Sequence, residues 1–180
     1  DLPSAWELAS PLALRPLMFT VTSPYMLAKT LVNVHYPDLQ ALCHDLATVL
    51  ADQITTIDTP VLQVDEATLT GHPEDGDWVH GPINTILDAA QGERSVHLCF
   101  GNYGGSTIQH GFWANLLPFL NELHVDHLVL EFARRGAKVD DRARPEVDTA
   151  EAHALYIKLL RAATSPRQTA STGASSAMRK

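Results

Sequence analysis

Cysteine is scarce in this sequence: among 180 residues there are two, Cys43 and Cys99. Two cysteines do not make a disulfide framework, so we expect a reducing, cytoplasmic location. Basic residues are also few, with 13 Lys and Arg against 21 Asp and Glu. The resulting net charge of -8 argues against nucleic acid or an anionic membrane surface as a partner.

Long hydrophobic runs are absent as well. No apolar stretch is long enough to cross a bilayer, and we expect no signal peptide. The first residue is Asp1 rather than Met, which leads us to expect a fragment or a processed product. What the chain does have is apolar content, since 45% of its residues are hydrophobic. That is ample for one domain with its own core.

Short apolar strands alternate with amphipathic helices along most of the chain. The predicted strands are 17–22, 61–64, 96–100 and 127–132, and the predicted helices are 37–54, 78–90, 112–123 and 151–163. This alternation favours a parallel α/β sheet, either a doubly wound sheet or a (β/α)8 barrel. A full barrel takes about 250 residues, so a barrel built from this chain would be a partial TIM-type barrel.

The last residues differ in character from the rest. The segment 164–180 is rich in Ser, Thr, Ala and Gly and lacks apolar periodicity, which predicts a disordered or altered C-terminal tail. We therefore divide the chain into a partial barrel, 1–163, and a tail, 164–180. A partial barrel leaves sheet edges unpaired, so self-association through those edges is expected.

Chemically reactive side chains stand where three successive strands end. Asp65 and Glu66 close one predicted strand, His97 and Cys99 the next, and Glu131 the third. The carboxyl ends of parallel strands line the sites of such folds, so these side chains can converge. His97 and Cys99 are two residues apart and face the same side of a strand, which is half of a tetrahedral zinc site. Glu131 would add a third ligand, and Asp65 could bind a substrate ammonium group.

Each of these residues also has a plainer interpretation. A core strand can hold a buried cysteine such as Cys99 and a hydrogen-bonded histidine such as His97. The acid pair 65–66 could belong to a solvated loop, and Glu131 could pair with the arginines that follow it. Cys43 lies within a predicted helix and is interpreted as a small packed hydrophobe.

Three separate segments resemble one enzyme family. Segment 62–69, Leu-Gln-Val-Asp-Glu-Ala-Thr-Leu, resembles the I-Q-x-D-E-P-A-L segment of cobalamin-independent methionine synthases. Segment 97–103 is similar to the H-x-C-[YF]-G-N signature of shorter relatives, among them the zinc-dependent epoxyalkane:coenzyme M transferases. Segment 130–136 looks like the strand that carries the family's glutamate ligand. The resemblance covers roughly residues 16–163 and points to the C-terminal catalytic barrel of the family.

The resemblance implies a zinc-dependent enzyme that alkylates a thiol. In methionine synthases the thiol is homocysteine, and the methyl donor is 5-methyltetrahydropteroyltri-L-glutamate. By this resemblance His97, Cys99 and Glu131 would bind Zn²⁺, Asp65 would hold the homocysteine amino group, and Glu66 would support it. The implied partners are therefore a small thiol and a methyl donor.

The chain departs from the family pattern in its last third. The family's fourth zinc ligand is a cysteine in a late Asp-Cys-Gly motif, whereas no cysteine follows Cys99 and low-complexity sequence occupies 168–180. Ala143 stands where methionine synthases place a histidine that is taken to protonate the leaving group. Two alternatives to a methionine synthase therefore remain open: an alkyl transferase acting on another thiol such as coenzyme M, and an inactive, incomplete member of the family.

Overall fold

The structure, a computed structural model, describes residues 1–103 and 106–131 of the chain. The predicted helix 151–163, the tail 164–180 and the last residue of the predicted strand 127–132 lie outside the described residues. Because of this, the division into 1–163 and 164–180 stays a prediction. Across the described ranges, no helix combines the length and the apolar character that spanning a membrane requires.

Within residues 1–103 and 106–131, four parallel strands form the central sheet. They are β1 (Met18–Thr22), β2 (Val61–Glu66), β3 (Glu93–Leu98) and β6 (His127–Leu130). The strands lie side by side in the order β1-β2-β3-β6, each parallel to its neighbour. A short antiparallel hairpin, β4 (Asn102–Tyr103) and β5 (Ser106–Thr107), follows β3. Strands that are neighbours in chain order are typical of a singly wound barrel rather than a doubly wound sheet.

Helix α1 (Leu2–Ala9) precedes the first strand, and the connections between the strands hold α2 (Pro24–Thr30), α3 (Leu39–Ile54), α4 (Gly76–Asp88) and α5 (Leu117–Glu122). Side-chain caps begin the first three helices: the side chains of Asp1, Ser23 and Asp38 each accept the backbone N–H of the residue three positions further on. Helices α2 to α5 contact one another in chain order and so form one layer against the sheet.

The two faces of the sheet differ in polarity. The buried side chains that pack against the helices are Val21, Leu62, Val64, Val96 and Leu98. The opposite face carries one row in register across the four strands, Thr22, Asp65, His97 and Val129. With helices on one face and the polar residues Thr22, Asp65 and His97 on the other, the sheet is part of a (β/α)8 barrel whose inner face carries these residues.

Both central strands differ in length from the predicted strands 61–64 and 96–100. Strand β2 runs two residues further than predicted, so Asp65 and Glu66 lie inside the strand. Strand β3 begins three residues earlier and ends two residues earlier than predicted. Its early start is stabilised by Arg94, because the Arg94 backbone N–H and guanidinium both donate to a carboxylate just before β6.

Two predicted helices differ in detail from the structure. The predicted helix 112–123 is a 3-10 turn over Trp113–Leu116 followed by the short α5. Pro118 lies in the first turn of α5, where its missing N–H leaves no helix hydrogen bond unmade. Helix α4 begins and ends two residues before the predicted helix 78–90 and continues through Pro82.

Gly92 holds the turn into β3, and we expect its replacement to destabilise the fold. A Cβ atom there would overlap the carbonyl oxygens of Thr59 and Pro60, which are backbone atoms and cannot rotate away. Gly92→Ala should lower the free energy of unfolding, measured in urea, by about 2 kcal/mol. Gly81→Ala is the matched control, since the nearest atom to its Cβ is in His44 at 3.9 Å, and it should stay within about 1 kcal/mol of wild type. Equal losses in the two variants would contradict this account.

Candidate functional site

Asp65 and His97 meet at the carboxyl end of the sheet. They are partners in the β2–β3 register, and both point to the inner face. The His97 Nδ1 atom lies 3.3 Å from Asp65 Oδ1, within hydrogen-bonding distance. Their side chains are 34% and 40% exposed, so a ligand on this face can reach both. The predicted convergence of these two residues is therefore present in the structure.

Cys99 follows β3 directly, and its backbone is held on both sides. Its N–H donates to the Glu66 carbonyl at 3.2 Å, and its carbonyl accepts from the Thr70 hydroxyl at 3.0 Å. The Cys99 residue itself is partly exposed and its sulfur is in no disulfide. Backbone anchoring on both sides fixes the position of Cys99 relative to the ends of β2 and β3.

Glu131 follows β6 directly, one residue beyond the last registered pair of β3 and β6. Its carboxylate Oε2 accepts the Phe100 N–H at 3.4 Å, and its carbonyl accepts the Trp113 indole N–H at 3.0 Å. Trp113 is 2% exposed and packs edge-on against Phe100, with ring centroids 4.9 Å apart. This contact places Glu131 beside the residue that follows Cys99.

Glu66 points away from the other four candidates. Neighbouring residues of a strand face opposite sides, and the Glu66 side chain lies on the helix side with 1% exposure. It accepts hydrogen bonds from the Ser23 hydroxyl and from the N–H groups of Thr68 and Leu69. Burial raises the pKa of this carboxyl, although these hydrogen bonds offset part of the rise. Glu66 thus ties the loop after β1 to the loop after β2, directly behind Asp65.

Two residues that the sequence analysis passed over belong to this arrangement. Gln63 donates its amide N–H to Asp65 Oδ1 at 2.8 Å, and the Ser95 hydroxyl donates to the Gln63 amide oxygen at 3.3 Å. Gln63 and Ser95 are 9% and 2% exposed. The sequence did carry a signal, because each stands two residues before a candidate site residue and so shares its face of the sheet.

The described residues supply the chemistry of a zinc site without gathering it around one point. The side chains of His97, Cys99 and Glu131 offer an imidazole, a thiol and a carboxylate, which are the three usual classes of zinc ligand. Among the residues that the structure describes, no three His, Cys, Asp or Glu side chains lie close enough to hold one ion. The backbones of His97, Cys99 and Glu131 are already near one another, so their side chains would have to rotate in order to bind one ion together.

The loop after β3 packs over the loop after β2 at this end of the sheet. Gly101 adopts a positive φ of 66°, which turns the chain back so that Ile108 and Gln109 donate to the Phe100 carbonyl. Gly111 lies against the Thr70 carbonyl so closely that a Cβ atom would overlap it. These contacts build one wall of the candidate site.

The sequence and structure comparisons both find methionine synthases. No family model matches the chain. The methionine synthase of Saccharolobus islandicus strain L.S.2.15 is 28% identical over 119 residues, which are 64% of this chain and 33% of that protein. The methionine synthase of Pyrococcus furiosus is 27% identical over 120 residues, which are 64% of this chain and 32% of that protein. The chain thus spans about a third of the length of the curated relatives it matches.

A solved structure supports the fold independently. The B12-independent methionine synthase from Shewanella sp. W3-18-1, solved in complex with selenomethionine, superposes with a TM-score of 0.63. The superposition covers 71% of this chain and 41% of that one, at 18% sequence identity. This agreement confirms the α/β fold of a partial TIM-type barrel. The chain is therefore similar in sequence to methionine synthases and similar in fold to a B12-independent methionine synthase.

Proposed function

We propose that this chain supplies the zinc- and thiol-binding part of a methyltransferase that converts homocysteine to methionine. The methyl donor in this proposal is 5-methyltetrahydropteroyltri-L-glutamate. The observation that carries the proposal is the meeting of Asp65 and His97, with Cys99 and Glu131 fixed on the adjacent strand ends. The methionine synthase name of its relatives supports the same reaction.

The proposed roles follow from side-chain chemistry. His97, Cys99 and Glu131 would hold Zn²⁺, which when bound lowers the pKa of a substrate thiol and yields a thiolate at neutral pH. Asp65 offers a partly exposed carboxylate to the ammonium group of homocysteine. Glu66 would support Asp65 from behind, through the loops that it ties together.

The incomplete ligand set bears on the metal in this proposal. With no cysteine after Cys99, three protein ligands would hold the ion and leave a fourth position for the substrate thiol or water. Losing a thiolate ligand weakens zinc binding, so we expect lower affinity than a four-ligand site would have. The rest of the barrel, which the relatives carry in their longer chains, would complete the substrate pocket.

Zinc content of the purified chain tests this proposal. We expect about one zinc per wild-type chain, lost in Cys99→Ser because a zinc-bound thiolate is replaced by a weakly binding hydroxyl. Cys43→Ala is the matched control: Cys43 is fully buried in α3, as predicted for a packed small hydrophobe, and burial raises the pKa of its thiol to about 12. This control should keep its zinc. A folded wild-type chain without zinc, or zinc retained in Cys99→Ser, would overturn the proposed metal site.

Thiol binding separates the proposed reaction from its alternative. The glycine-rich loop 101–105 and Ala143 are the observations that favour a thiol other than homocysteine. A methionine synthase should bind homocysteine through Asp65, whereas a coenzyme M enzyme should bind a sulfonate thiol and no folate. The zinc-loaded chain can be titrated with both thiols, and binding of neither would indicate an inactive member of the family.

A further inference from the structure

A hydrogen-bonded row crosses the inner face of β2 and β3 and ends at His97. The Ser95 hydroxyl donates to the Gln63 amide oxygen at 3.3 Å, and the Gln63 amide N–H donates to Asp65 Oδ1 at 2.8 Å. The same Oδ1 atom lies 3.3 Å from His97 Nδ1. Ser95 and Gln63 are nearly buried, at 2% and 9% exposure, whereas the side chains of Asp65 and His97 are 40% and 34% exposed.

The chemistry of the row fixes the direction of each hydrogen bond. The carboxylate of Asp65 accepts, so the nitrogen end of the Gln63 amide faces Asp65, its oxygen end faces Ser95, and the Ser95 hydroxyl donates to that oxygen. An ionised carboxylate only accepts, so the proton of a neutral His97 is held on Nδ1. The lone pair of His97 is then on Nε2, which is left for a metal ion. Histidines that bind metals commonly donate their other N–H to a carboxylate in this way.

Two donors on one oxygen also determine how Asp65 is oriented. Gln63 and His97 both bind Oδ1, and the described residues give Oδ2 no hydrogen bond. Oδ2 is therefore the oxygen that a substrate ammonium group can approach. Without Gln63, Asp65 would lose one of the two hydrogen bonds that hold its carboxylate, and its side chain could adopt more than one rotamer.

We propose that Gln63 is a positioning residue, which holds Asp65 so that Asp65 in turn orients His97 with Nε2 free for metal. This inference rests on the proposed zinc-dependent function for its purpose, but the hydrogen-bonded row itself does not need a metal. Gln63 touches neither the metal nor the thiol in this proposal. Gln63 would act on the site through the tautomer and orientation of His97, and Ser95 would orient the Gln63 amide.

Gln63→Met tests the proposal, because Met has a similar length and volume but cannot donate to Asp65. The first readout is the His97 tautomer in the metal-free full chain, measured by ¹⁵N NMR at a pH where imidazoles are neutral. We expect the Nδ1–H form in wild type and a mixture in Gln63→Met. The second readout is zinc affinity in competition with a chelator, which should fall about tenfold or more in the variant.

Gln91→Met is the matched control, since Gln91 also donates a 2.8 Å hydrogen bond, to the Thr55 carbonyl far from the site. It should change neither readout. Ser95→Ala removes only the far end of the row and should shift the tautomer less, in the same direction, which keeps the test open if Gln63→Met does not fold. An Nε2–H tautomer in wild type, or an unchanged tautomer in both row variants, would overturn the proposal. Absence of zinc in wild type would overturn the proposed function alone.

Discussion

Replacing Glu66 by alanine should lower the free energy of unfolding by about 3 kcal/mol. The Glu66 carboxylate is 1% exposed and accepts from the Ser23 hydroxyl and from the backbone N–H groups of Thr68 and Leu69. Glu66→Ala would leave these donors without their acceptor, and an unsatisfied buried donor costs about 1–3 kcal/mol. Glu66→Ala also removes the free-energy cost of burying a carboxyl group, which offsets part of that loss. Chemical denaturation of wild type and variant measures the difference.

Glu66→Gln separates the hydrogen bonds of this residue from its charge. The glutamine oxygen can still accept from both backbone N–H groups, and its NH₂ can donate to the Ser23 hydroxyl. We therefore expect Glu66→Gln to retain most of the stability that Glu66→Ala loses. Equal destabilisation by the two substitutions would contradict the hydrogen-bond account.

The comparison of wild type with Glu66→Gln also gives a prediction about the pH dependence of stability. Burial raises the pKa of Glu66 above its ordinary value of 4.5, with hydrogen bonds from Ser23, Leu69 and Thr68 as partial offsets. In the window between 4.5 and the raised pKa, the folded state binds more protons at this site than the unfolded state, so its contribution to stability falls as pH rises. Glu66→Gln does not titrate, so its stability relative to wild type should increase with pH across that window. A constant difference would contradict a raised pKa.

The fold could be predicted from the sequence to a large extent because its signals are local. Apolar runs bounded by polar loops marked all four strands of the sheet, and helical periodicity marked α3 and α4. The parallel order then follows from strand–helix alternation. Strand ends were predicted less well, since Glu93 and Arg94 are polar and their place in β3 depends on a hydrogen-bonded partner 32 residues away, at Asp126.

The location of the candidate site could be predicted from the sequence, but the orientations of all its side chains could not. The rule that parallel strands end at one edge predicts that Asp65, His97, Cys99 and Glu131 lie near one another, and the structure brings Asp65 within hydrogen-bonding distance of His97. The orientation of Glu66 could not be predicted, because the predicted strand ended before it and the alternation of faces holds only within a strand. The metal-binding and substrate-binding roles of these residues stay predictions.

Trp113→Ala should lower the free energy of unfolding by about 4 kcal/mol and loosen the site. Trp113 is 2% exposed, packs edge-on against Phe100 at 4.9 Å, and donates its indole N–H to the Glu131 carbonyl at 3.0 Å. It therefore joins the chain after β3 to the chain after β6, which are the two segments that carry Cys99 and Glu131. Thermal and urea unfolding measure the loss of stability, and chelator competition measures any accompanying loss of zinc affinity.

Trp113→Phe divides the effect of this residue into packing and hydrogen bonding. Phenylalanine keeps an aromatic ring against Phe100 but offers no N–H to the Glu131 carbonyl, so we expect a smaller loss of about 1–2 kcal/mol. Trp6→Ala is the matched control, since Trp6 makes a comparable edge-on contact with Phe19 at 6.0 Å but is only partly buried, at the far edge of the sheet. It should cost less than Trp113→Ala and leave zinc affinity unchanged. If Trp6→Ala weakened zinc binding as much as Trp113→Ala does, general destabilisation rather than the position of Glu131 would explain the effect, because the ring contact of Trp6 is with Phe19 in β1.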